Sequence, residues 1–188
     1  QYVCDKVTGL YSAQAVTAAL FARARGEPAA TVEVSMLEAA VAFGWIDLHG
    51  PQTFLEPATP MPNIALVYRP WRTADGWVVV VMLGEAEFAG WCEAVRMPQL
   101  KDDPRFDGMA NRFLNWDALR ELCGPTVAAL DTDAMVARLR AAGVPCGRVN
   151  PSADLPHHPQ LAATGFLEEH VHPLAGRMRL PHAVARYG

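Results

Sequence analysis

From Thr8 to Gly26 the chain reads TGLYSAQAVTAALFARARG: apolar or small residues on nearly every helical face, no proline, two late arginines and a closing glycine. The pattern predicts a helix stopping at Gly26. Its first half is apolar all round, so it belongs inside something larger than a surface layer. Val32 and Val34 then alternate with Glu33 and Ser35, predicting a short strand over ATVEVSM. Ser35 and Glu38 form a capping box that opens a second helix, MLEAAVAFGWIDLHG, ending near Gly50-Pro51.

Residues 51–63, PQTFLEPATPMPN, carry four prolines and read as a linker. Beyond it, IALVYRPWRTADGWVVVVML is two β-rich runs around Asp75-Gly76, a hairpin signal, with Pro70 confining the first run to an edge or interrupted strand. Phe88, Trp91, Cys92 and Val95 recur at helical spacing. Two more helices follow, with Asn115 and Thr132 as N-caps and Gly143 as the last stop. VPCGRVN predicts a strand, PSADLPHHPQLAATG a proline-limited helix or turn, and the tail two extended runs about Ala175-Gly176. The fold class is therefore mixed α/β.

Composition narrows the function. The 188 residues are 51% hydrophobic and 19% charged, the balance of a folded globular protein. A net charge of -4 gives no broad basic field for nucleic acid. Cys4, Cys92, Cys123 and Cys146 are scattered without a close pair, which argues against a zinc knuckle or redox C-x-x-C and for reduced thiols. The apolar run Val7–Ala22 is too polar and short to span a bilayer and lacks a signal-peptide start, so a cytoplasmic protein with no membrane partner is expected. The absence of an initiator Met and the early helix suggest a piece of a longer protein.

Asp5, ahead of the first apolar run, carries the most chemistry. One reading is a carboxylate that caps the helix or complements its positive end. The other is a nucleophile that attacks an activated carbonyl, with the same N–H donors available to an oxyanion. Cys4, preceded by Tyr2 and Val3, reads as a buried strand residue with an inert thiol. His170 and His172 share a face if EEHVHP is extended, but without a carboxylate or Cys at ligand spacing no metal is expected. The five tryptophans read as core, with Trp71 and Trp77 flanking the hairpin turn and available to an interface. Asp103-Pro104-Arg105-Phe106 reads as a structural turn.

Taken in order, five stretches resemble family III CoA-transferases, the CaiB/BaiF family that also includes 2-methylacyl-CoA racemases. CDKVTGLYSAQAVTAALFARARG is similar to the nucleophile helix, and VEVSMLEAAVAF to the segment after it. TADGWVVV is similar to the small-domain hairpin, DDPRFDGMANRFLN to the Asp-Pro-Arg-Phe stretch, and LRAAGVPCGRVN with HPQLAATGF to the downstream run. The resemblance implies that Asp5 accepts the acyl group of an acyl-CoA, and that Thr8 and Gly9 contribute backbone near its carbonyl. It implies a mixed anhydride and then an aspartyl-CoA thioester, passed to a small carboxylic acid. Coenzyme A is substrate here, with no other cofactor.

The same resemblance assigns residues 1–50 to the edge of a Rossmann-like large domain. It assigns 64–165 to a small α+β domain and 166–188 to a segment returning to the large one, in an interlocked homodimer. Gly26 is followed by Glu27-Pro28-Ala29-Ala30 where the family usually has Gly-x-Gly-Gln, and no glycine-rich loop lies between Pro51 and Asp75. The second departure argues against formyl or oxalyl transfer. A single glycine after the acid favours transfer over racemisation. A non-catalytic interaction module, in which Asp5 only serves the helix, is the remaining alternative.

Overall fold

The computed structural model describes residues 2–28, 30–56 and 68–185. Helix α1 spans Val3–Ala24, five residues further back than the apolar run alone predicts. Lys6 N–H donates to the Tyr2 carbonyl at 3.1 Å, closing the first turn ahead of Thr8. No Gly or Pro between Val3 and Thr8 resists this, and Asp5 in the first turn suits the positive end of the helix. The C-terminus is as predicted: Arg23 lies in the last turn and Gly26 follows at φ +97°.

Helix α2, Met36–His49, opens as its capping box predicts, with Glu38 N–H donating to Ser35 Oγ at 3.3 Å. The expected strand before it does not form. Residues 30–35 are extended but unpaired, and both Val32 and Val34 are exposed. A strand exists only with a ladder partner, and none of the described segments offers one. The linker begins in a short 3₁₀ turn, Gly50–Thr53, while its residues 57–63, like 64–67 of the first β-rich run, lie outside the described residues.

Strand β1 is only Trp71–Arg72, directly after Pro70 as expected of an interrupted edge, and β2 is Trp77–Val80. They pair antiparallel with Arg72 opposite Trp77, and β3, Cys146–Arg148, joins the other side of β2. Gly76 is not at positive φ. A Cβ there would stand 2.9 Å from Thr132 Oγ1, so close approach, not turn geometry, requires this glycine.

Helices α3 (Glu85–Ala94), α4 (Gly108–Leu114), α5 (Trp116–Ala128) and α6 (Thr132–Ala141) surround the sheet. The main hydrophobic core runs from Trp71 to Val144. Outside it, the buried apolar residues are Val7 and Ala39. At its centre the Trp71 ring sits 4.5 Å from Trp91 and 6.2 Å from Trp116, centroid to centroid, each pair contributing about 0.5–1.5 kcal/mol beyond area burial. Trp45 and Trp77 are instead exposed.

Two N-caps differ from expectation. Asn115 occupies the α5 N-cap, but its side chain donates to the carbonyls of Arg105 and Asn111. Thr132 is the first residue inside α6 and fully buried. Its N–H and hydroxyl donate to Asp75 Oδ1 at 2.8 and 2.6 Å, so the hairpin turn caps α6 from a distance. The Asp103–Phe106 turn is structural, as read: Asp103 accepts from the Arg105 backbone and guanidinium, and Phe106 enters the core.

After a 3₁₀ turn, Ser152–His157, come α7 (Pro159–Thr164) and the hairpin β4 (Leu167–His172) with β5 (Gly176–Pro181). His158 Nδ1 accepts from Gln160 N–H at the start of α7, and His172 Nδ1 accepts from Leu174 and Ala175 N–H at the β4–β5 turn.

Candidate active site

Among the described residues the first-turn N–H groups of α1 have no partner, because the ladder they show begins at Lys6 and the N-cap Tyr2 makes no side-chain bond. Asp5 is the third helical residue and exposed. It neither precedes the helix nor caps it: the carboxylate lies inside the first turn. Thr8, Gly9 and Ser12, at three, four and seven residues on, share its face. The two site residues expected beside Asp5 are therefore brought to it by helix geometry, and Ser12 joins them. Helical spacing would have found Ser12 had the helix start been placed at Val3.

The hydroxyls on this face are turned onto the backbone: Thr8 Oγ1 donates to the Cys4 carbonyl at 2.7 Å and Ser12 Oγ to the Thr8 carbonyl at 2.8 Å. The Thr8 and Gly9 N–H groups lie beyond the first turn, inside the helical ladder. The N–H groups at this end with no partner among the described residues belong to Val3, Cys4 and Asp5. Gly9 has open space where a Cβ would be, with nothing within 4 Å. The described packing thus leaves bare backbone beside the carboxylate.

Cys4 is exposed on helix, not buried on a strand as Tyr2 and Val3 suggested, because α1 starts before it. With Val3 and Val7 it walls a cavity of about 320 Å³ against Ala40, Phe43, Gly44, Asp47 and Leu48 of α2. Asp5 is not part of that wall. Cys92 and Cys123 are unsuited to nucleophilic chemistry, since burial pushes their thiols up to about 12 and about 11.

Sequence spacing hid the partners of the histidines. Glu168 lies 2.8 Å from His182 Nε2 and 3.5 Å from His170 Nε2, across and along the β4–β5 hairpin. Strand register, not ligand spacing, brings them together.

The sequence model described as CoA-transferase family III matches residues 1–188. The chain belongs to CoA-transferase family III. Its mouse relative named succinyl-CoA:glutarate CoA-transferase is 25% identical over 187 residues, 97% of this chain and 43% of the relative. The crystal structure of Rv3272 from M. tuberculosis superposes with a TM-score of 0.78 at 25% identity, over 99% of this chain and 49% of that one. A CAIB/BAIF family protein from Brucella suis gives 0.63 at 26% identity, over 86% and 44%. The family III chain described here therefore spans less than half the length of these relatives. Among its described residues no helix is long and apolar enough to cross a membrane.

Proposed function

We propose that the whole protein containing this chain transfers coenzyme A from an acyl-CoA donor to a carboxylic acid, with Asp5 as the covalent acyl acceptor. The observation that carries this is the position of Asp5: an exposed carboxylate in the first turn of the long helix of a family III chain, beside N–H groups that have no partner among the described residues. An Asp oxygen attacks the thioester carbonyl, the C–S bond breaks, and a mixed anhydride and CoA thiolate result. The thiolate attacks the aspartyl carbonyl, giving an aspartyl-CoA thioester and releasing the donor acid. The acceptor carboxylate displaces the thiolate to form a second anhydride. Thiolate attack on the acceptor's acyl carbon then yields the new acyl-CoA and restores Asp5. No proton is consumed overall.

The first-turn N–H groups are suited to the oxyanion of each addition. Gly9 leaves room for the thioester to pass over the helix. We assign residues 1–50 to the large domain of the whole enzyme, 64–165 to the small one and 166–188 to the returning segment. A second copy is expected to complete the site in a homodimer. The test uses the whole protein: Asp5→Asn abolishes transfer, and borohydride after acyl-CoA reduces the wild type at Asp5 but not the variant. Near wild-type transfer by Asp5→Asn overturns the assignment. Exchange of the α-hydrogen with solvent deuterium, without CoA exchange, would identify a racemase instead. The 188-residue chain alone is expected to show no acyl exchange.

A further inference from the structure

The C-terminal ends of α3 and α6 meet at an open cleft of about 340 Å³, lined by Glu93, Ala94, Arg96, Arg138, Ala141 and Ala142. We propose that this cleft, which lies apart from the first turn of α1, binds a phosphate monoester between Arg96 and Arg138. Arg96 stands at φ +59°, the sole non-glycine residue at positive φ among the described residues. Glycine is the ordinary occupant of this position, one past the helix C-cap Val95. The turn is held by Arg96 N–H to the Glu93 carbonyl at 3.0 Å and Met97 N–H to the Cys92 carbonyl at 2.8 Å. An arginine kept where glycine relieves strain indicates a use for its guanidinium.

The cleft walls are locked at close range. A Cβ on Gly90 would fall 2.4 Å from the Ala142 carbonyl oxygen, so α3 and α6 touch through backbone just below the cleft. The charge balance favours an anion. Glu93 is already engaged by Lys101 Nζ at 2.9 Å. Arg96 and Arg138 have no carboxylate partner among the described residues, which is equally true of Arg23, Arg25, Arg69, Arg72, Arg120 and Arg140, but Arg96 and Arg138 line one cleft together. The carbonyl ends of both helices oppose an anion, and the two guanidiniums reverse that sign. Paired forks of positive charge match a dianionic phosphate better than a single carboxylate. The competing account is that both arginines only complement the helix dipoles. It requires no ligand, and it does not explain the strained backbone at Arg96.

The test is titration of the 188-residue chain with inorganic phosphate, 3′,5′-ADP, acetate and chloride, read from the arginine Nε–H resonances and by calorimetry. Phosphate is expected to shift Arg96 and Arg138 selectively and acetate and chloride not to. Tighter binding of 3′,5′-ADP points to the phosphorylated end of coenzyme A as the source, and equal binding to free phosphate. Arg96→Gly is expected to raise Tm while weakening binding about tenfold or more, and Arg138→Ala to weaken it similarly. The proposal is overturned by no selective shift, by equal shifts with chloride, or by unchanged affinity in a folded Arg96→Gly variant.

Discussion

Arg112 shows how much a single side chain can organise. It is 1% exposed, bonds both oxygens of Glu85 at 2.8 and 2.9 Å, donates to the carbonyls of Leu83 and Phe106, and lies 4.8 Å over the Phe88 ring. Arg112→Ala leaves the buried Phe106 carbonyl and the part-buried Leu83 carbonyl without their donor, and denaturant unfolding should show a loss of about 1–3 kcal/mol. The Arg112 bonds also hold the Glu85 carboxyl below its ordinary value of 4.5. A lowered folded-state pKa gives stability that is fully present above the unfolded value and is lost as pH falls through the folded one. Stability should therefore fall on the acid side of 4.5, and this slope should flatten in Glu85→Gln. Gly9 acts in the opposite sense: Gly9→Ala fills empty space in a helix interior and should stabilise the chain by about 0.5–1 kcal/mol. Thermal unfolding checks this, and a destabilised Gly9→Ala protein would count against open space at Gly9.

Among the elements, the pair α3 and α6 is the most sensitive to side-chain size. Gly90→Ala drives a methyl into the Ala142 carbonyl and the Val144 side chain, at 2.4 and 2.7 Å, and neither backbone can retreat without opening the core. Thermal unfolding should show a loss of about 1–3 kcal/mol. The helices themselves were legible where their signals are local. The Ser35–Glu38 cap, the Gly26 and Gly143 stops and the apolar spacing of Phe88, Trp91, Cys92 and Val95 each lie within a turn or two of chain. The strand over residues 30–36 was misread because alternation proposes a strand but only a partner makes one. The start of α1 was misread because apolar periodicity begins later than the helix, and this moved Asp5 and Cys4 from before the helix into its first turn.

At the scale of the whole molecule, the α1–α2 pair differs from the rest. It buries Val7, Ala39 and Gly44, while Phe21, Leu37 and Ile46 are 64%, 73% and 67% exposed. The exposed large apolar side chains on both helices make this pair a surface prone to association. Alone in solution the 188-residue chain should self-associate with concentration by sedimentation, and Phe21→Lys with Leu37→Lys should shift it towards monomer. A monomeric unsubstituted chain at high concentration would count against this. What the sequence determined by itself was the mixed α/β class, the helices and their stops, the late hairpin and the family. Those rest on contacts a few residues apart or on residue order. Tertiary structure alone decided that Asp75 caps α6 from 57 residues away and that Gly76 yields space to Thr132. Pairing and burial depend on segments distant along the chain, and no local pattern encodes which of them will meet.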